Sequence, residues 1–108
     1  MLQFNATARI SYFGDELATV LRHTSIAALK HQIPVIVFSV EDLTHSQGSL
    51  HPFSLAVDLD VANGKRSDLE KLYGWLRRYL PAGYDVVLEP NHVHVEFDTH
   101  RPDALASS

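Results

Sequence analysis

The centre of the chain reads Leu55-Ala56-Val57-Asp58-Leu59-Asp60, and this stretch decides the fold. Apolar residues and acids mix here in the way that is typical of a strand with one face against a core. A carboxylate inside such a segment is costly unless it is paired, binds a metal or faces water. We therefore predict a strand here whose polar side carries Asp58 and Asp60.

The sequence on both sides of this strand predicts a small set of further elements. Apolar residues at helical spacing indicate two helices, and short β-branched or aromatic runs indicate strands. Pro34 ends the first helix, and Pro81 and Gly83 end the second. The predicted elements are a helix over 15–31, a strand over 35–38, a loop over 41–52, a helix that ends near 80, and strands over 84–88 and 92–97.

The start of the second helix carries two local signals. Asn63-Gly64 is a turn signal. Ser67 and Glu70 have the spacing of a capping box, in which the hydroxyl and the carboxylate satisfy free amides at a helix start. We expect the helix to begin at this pair.

This order of elements predicts an α+β fold. Helices would pack on one face of a mainly antiparallel sheet, and the other face would be open for a site. We expect one domain over residues 1–108, with 101–108 as a flexible tail.

The composition limits the classes of partner and the cellular locations that we expect for this protein. The net charge of −4 gives no basic footprint for nucleic acid or an anionic membrane. There are no cysteines, which excludes disulfides and thiolate metal sites. We see no signal peptide or membrane span, so we expect a protein made in the cytoplasm that acts at a cell wall after release or within a virion. The oligomeric state stays open.

Histidines and acids near the predicted strands indicate a metal site. His51 precedes the strand that carries Asp58, while His92 and His94 alternate on a later strand and so face the same side. If the two strands share a sheet, His51, Asp58 and one histidine of the later pair can converge. Two histidines and one carboxylate form a catalytic zinc set that leaves a position for water, and nearby Glu89 can act as a general base. The alternative is that these are surface residues on half-buried strands.

Two motifs resemble a known family. Ser49-Leu50-His51-Pro52-Phe53-Ser54-Leu55-Ala56-Val57-Asp58 resembles the Ser-x-His-x-x-Gly-x-Ala-x-Asp motif of D-Ala-D-Ala carboxypeptidases and related peptidoglycan endopeptidases. Glu89-Pro90-Asn91-His92-Val93-His94 resembles their second motif, a Glu shortly before His-x-His. The match is close to short phage-encoded members. It implies the fold shared with the hedgehog signalling domain.

The resemblance also implies roles for individual residues. It implies zinc ligands at His51, Asp58 and His94, a catalytic acid and base at Glu89, and transition-state stabilisation by His92. Some relatives would instead select His92 as the third ligand; Val95-Glu96 after His94 favours His94. The implied substrate is a peptidoglycan stem peptide, which Ser49 and His45 would help to bind. The alternative role for His45, a loop residue that caps a turn, stays equally open.

The chain departs from the family pattern at two places. Ser54 stands where the family has glycine, and residues 38–44 contain no arginine to hold a terminal carboxylate. Endopeptidase action is therefore as plausible as carboxypeptidase action. Two other classes stay open: a non-catalytic metal-binding module of a phage particle, and a metal-free α+β domain.

Overall fold

The computed structural model describes residues 2–10, 14–42 and 54–98, and the side chains of residues 14–41 and 55–97. This part of the chain forms two helices and one five-stranded sheet. The elements are β1 (Leu2–Ile10), α1 (Asp15–His31), β2 (Val35–Asp42), β3 (Ser54–Val61), α2 (Arg66–Tyr79), β4 (Tyr84–Leu88) and β5 (Val93–Asp98).

The sheet has the strand order β1-β2-β3-β5-β4. β1 and β2 are parallel, because α1 carries the chain back between them, and every other neighbouring pair is antiparallel. The predicted α+β class and the mainly antiparallel sheet are confirmed.

The core lies on one face of the sheet. Alternate residues of β3 and β5 are buried there, while Asp58 and His94 lie on the other face. Leu17 and Val20 of α1, and Leu72 and Leu76 of α2, cover the same core. We call the sheet face that carries Asp58 and His94 the open face.

A β-bulge in β2 changes which residues reach the open face. Val37 pairs with Leu59, but Ser39 pairs with Asp58, so β2 has one more residue than β3 at this point, Phe38. Without the bulge, Ser39 would follow Val35 and Val37 onto the buried face. The extra residue turns Ser39 towards Asp58 instead.

One strand was missed, and two local predictions were wrong. The strand β1 was not predicted, and β2 runs to Asp42 although the sequence predicted a loop from Glu41. The capping box does not form, because α2 begins at Arg66 and Ser67 already lies inside its first turn.

Asn63 organises the turn before α2. Its Oδ1 accepts a hydrogen bond from the Lys65 amide at 3.0 Å, and its Nδ2 donates to Asp68 Oδ2 at 2.7 Å. Gly64 has a φ of 68°, so the predicted Asn63-Gly64 turn is confirmed.

Candidate metal site

Three side chains on the open face form a group that could hold a metal ion. Ligand atoms of Asp58, His92 and His94 all lie within 4.8 Å of one another. Asp58 and His94 are register partners on β3 and β5. His92 lies in the bend before β5, one residue outside the strand in which it was predicted. The structure therefore brings Asp58 together with both histidines of the later motif.

The spacing of these atoms suits a small cation. Asp58 Oδ1 lies 2.7 Å from His94 Nδ1 and 3.6 Å from His92 Nε2. In a tetrahedral zinc site with bonds of about 2.0–2.2 Å, ligand atoms lie roughly 3.3–3.6 Å apart. The Asp58–His92 spacing already has that value, and the Asp58–His94 contact must open slightly to admit an ion. The three side chains are 25–35% exposed, so an ion can reach them from solvent.

Two further side chains orient the group, and the sequence did not identify either. Ser39 Oγ donates a hydrogen bond to Asp58 Oδ2 at 3.0 Å, which leaves Oδ1 turned towards the histidines. Glu96 Oε1 lies 2.8 Å from His94 Nε2. A carboxylate that accepts from one ring nitrogen leaves the other free as a ligand, a common arrangement around metal-binding histidines. In this arrangement His94 Nδ1 is the atom available to the ion.

A sequence signal existed for Glu96 but not for Ser39. His92, His94 and Glu96 alternate along one extended segment, which predicts a shared face. Ser39 reaches Asp58 only because of the bulge at Phe38. The sequence alone does not show where a bulge shifts the register of two strands.

The protonation of His94 depends on its two carboxylate neighbours. Partial burial lowers the pKa of His94, but hydrogen bonds to Asp58 and Glu96, together with their negative charges, outweigh it and raise the pKa above its usual value. In the protonated form of His94, both ring nitrogens donate to carboxylates. Metal binding must displace the proton on Nδ1, so binding competes with protons.

We expect a pH-dependent contribution of His94 to the stability of the metal-free protein. Because its folded-state pKa is raised, this contribution is fully present below the unfolded pKa of about 6.5 and is lost as the pH rises through the folded pKa. NMR titration of the His94 ring, with chemical unfolding at several pH values, measures both quantities. His94→Gln should remove this part of the pH dependence. A His94 that titrates below 6.5 would contradict the prediction.

Arg66 restrains the turn that carries His92. Its Nη1 donates hydrogen bonds to the carbonyl oxygens of Glu89 at 3.0 Å and Pro90 at 2.9 Å, and its Nε lies 3.5 Å from Glu70 Oε2. The Glu89 amide closes the same turn by donating to the His92 carbonyl at 2.8 Å. One side chain of α2 therefore fixes the connection between β4 and β5.

Where His92 binds the metal together with Asp58 and His94, Arg66→Lys should weaken metal binding while the fold persists. Lysine keeps the charge but has a single nitrogen, so it cannot bind the two carbonyls while a second nitrogen contacts Glu70, as the planar guanidinium does. Loss of a supporting contact of this kind typically lowers metal affinity about 10-fold or more. Calorimetric zinc titration measures the change, and Arg77→Lys on the same helix, whose Nη1 contacts Tyr73 Oη, is the matched control. Equal affinity of Arg66→Lys and the parent would show either that His92 does not bind the metal or that the turn holds it without the clamp.

The roles of the other predicted site residues are not tested by the structure. His45, Ser49 and His51 lie outside the described residues, so their roles stay predictions. Glu89 begins the turn that Arg66 holds, and its predicted catalytic role is likewise untested.

A groove opens beside the group. It has a volume of about 210 Å³ and is lined by Phe38, Asp58, Asp60, Asn91 and His92. Two residues of the metal group thus border a space that a small part of a ligand can enter.

No protein-family model and no curated protein matches this sequence. Neither described helix has the length and apolar character of a membrane span. The functional assignment therefore depends on the motifs and on the geometry of the site.

Proposed function

We propose that this protein is a zinc-dependent peptidase with a hedgehog/DD-peptidase-like fold that hydrolyses peptide bonds in peptidoglycan stem peptides. The observation that supports it is the convergence of Asp58 with His92 and His94 on the open face. These residues come from both motifs that resemble the peptidase family.

The donor set fits zinc better than the hard cations. Imidazole nitrogen suits zinc, whereas calcium and magnesium prefer a full set of oxygen ligands. In the proposed site, Asp58, His94 and His51 hold the cation, and His51 comes from the segment that precedes β3. Ser39 and Glu96 keep Asp58 and His94 oriented. A bound zinc ion would polarise the scissile carbonyl and lower the pKa of a water molecule towards about 7.

The remaining roles belong to two residues of the β4–β5 connection. Glu89 accepts the proton from the attacking water and then donates it to the departing amine. His92 donates a hydrogen bond to the oxyanion that develops on the substrate carbonyl. Both residues lie in or next to the turn that Arg66 holds, so their positions depend on the same clamp.

Removal of the metal tests the proposal directly. Purified peptidoglycan sacculi incubated with the zinc-loaded protein should release new peptide termini, detected by mass spectrometry. A chelator should abolish the release, and added zinc should restore it. Stoichiometric zinc without any hydrolysis would favour a non-catalytic metal-binding module, while hydrolysis that persists in chelator would exclude the metal mechanism.

A further inference from the structure

The groove beside the metal group has one apolar wall and one acidic wall. Phe38 is 41% exposed, which is high for a phenylalanine in a strand. The bulge explains the exposure, because Phe38 is the extra residue and has no register partner on β3. Bulges are frequent beside active sites, where they redirect a side chain. Here the redirected ring borders the groove together with Asp58 and His92.

Asp60 forms the acidic wall and has a fixed orientation. Its Oδ1 accepts a hydrogen bond from the Val61 amide at 2.7 Å, which leaves Oδ2 as an acceptor. No ion pair joins Asp60 to a cation in the part of the chain that the structure describes. The nearby Arg66 is occupied by two backbone carbonyls and Glu70. Asp60 therefore offers a negative charge to whatever enters the groove.

The charge of the metal group does not cancel that of Asp60. Asp58, together with Glu96 through its contact with His94, would offset the two positive charges of a bound divalent cation, and Asp60 belongs to no metal-holding group of the described residues. A carboxylate beside an aromatic ring suits a flexible aliphatic chain that ends in an ammonium group: the methylenes pack on the ring, and the ammonium reaches the carboxylate.

We infer that Phe38 and Asp60 form a specificity subsite for a substrate residue whose side chain carries a primary amine, next to the scissile bond. This inference rests on the proposed function and adds the chemical class of one substrate residue. Phe38 contacts the aliphatic part of the side chain. Asp60 Oδ2 accepts a hydrogen bond from the ammonium group, and the Asn91 side chain borders the same space.

The test compares matched substrates with matched variants. Muropeptides with a free side-chain amine are compared with the same muropeptides after N-acetylation, and initial rates at low substrate concentration give kcat/KM. The parent protein should prefer the free amine by about 10-fold, as expected for a partly exposed charged hydrogen bond. Asp60→Asn should lose this preference, because neutral asparagine no longer distinguishes ammonium from amide. Asp85→Asn, an acid on β4 away from the groove, should keep it.

A second variant distinguishes the contribution of Phe38 from that of Asp60. Phe38→Ala should raise KM for both substrates by about the same factor and leave the preference for the free amine unchanged. Equal rates of the parent on both substrates would overturn the subsite. Preference retained in Asp60→Asn would assign it to another residue and also overturn the inference. No hydrolysis of either substrate would overturn the proposed function as well, so the two failures are distinguishable.

Discussion

Asp58→Asn is expected to weaken zinc binding by roughly 100- to 1,000-fold, measured by calorimetry or by competition with a chromogenic chelator. Structural zinc sites yield about 10–16 kcal/mol from four ligands, so one charged ligand accounts for several kcal/mol. Asparagine has nearly the same shape, but its neutral oxygen is a poorer ligand. It also ends the charge-assisted contact with His94 at 2.7 Å.

The matched control is Asp15→Asn, which makes the same chemical change in the exposed first turn of α1. It should bind zinc as tightly as the parent does. The melting temperature gives a second measurement, because a ligand that binds only the native state raises it by mass action. Zinc should therefore raise the melting temperature of Asp15→Asn much more than that of Asp58→Asn. Equal zinc affinity in both variants would show that Asp58 is not a ligand.

The strongly patterned parts of the fold could be predicted from sequence. The helix over 15–31 and the strand over 84–88 have the bounds that the sequence predicted. Pro34 and the Pro81–Gly83 segment mark these boundaries, and proline and glycine act through local backbone geometry alone. Such signals do not depend on what the element later packs against.

Tertiary contacts explain the failures. Apolar residues alternate with other residues along β1, which is a strand signal that the prediction missed; they are Leu2, Phe4, Ala6, Ala8 and Ile10. Ile26 and Leu29 are apolar residues of α1, yet they are 42% and 76% exposed. Their spacing is compatible with a helix, but only the position of α2 and the sheet determines which side of α1 is covered.

The candidate site also contains residues that local sequence predicts and residues that only tertiary contacts bring into place. Asp58, His92 and His94 could be named in advance, because two motifs and the alternation of a strand predict a shared face. Ser39 and Arg66 could not, because their contacts cross between elements that are distant in sequence. One depends on a bulge, and the other on where α2 begins. Residues that bind a metal can have a local pattern, whereas residues that orient them often have none.

Glu89→Gln should reduce the hydrolysis of stem peptides by about 100- to 10,000-fold while zinc binding stays at the parent level. A general acid and base typically contributes that range, and glutamine cannot take the proton from water. The turn should persist, because the contacts described for Glu89 use its backbone: the amide donates to His92, and the carbonyl accepts from Arg66. A loss of rate with unchanged zinc affinity would therefore show that Glu89 acts in the chemical step and does not help to form the metal site.

Glu41→Gln is the matched control for this prediction, since Glu41 is an exposed acid of β2 outside the metal group. It should retain the activity of the parent. The pH profile, measured with zinc at saturation throughout, provides a readout that a structural role would not change: the parent's rate should fall on the acidic side, and the residual rate of Glu89→Gln should lack that limb. A Glu89→Gln protein as active as Glu41→Gln would assign the proton transfer to another group and leave only the metal site of the proposed mechanism.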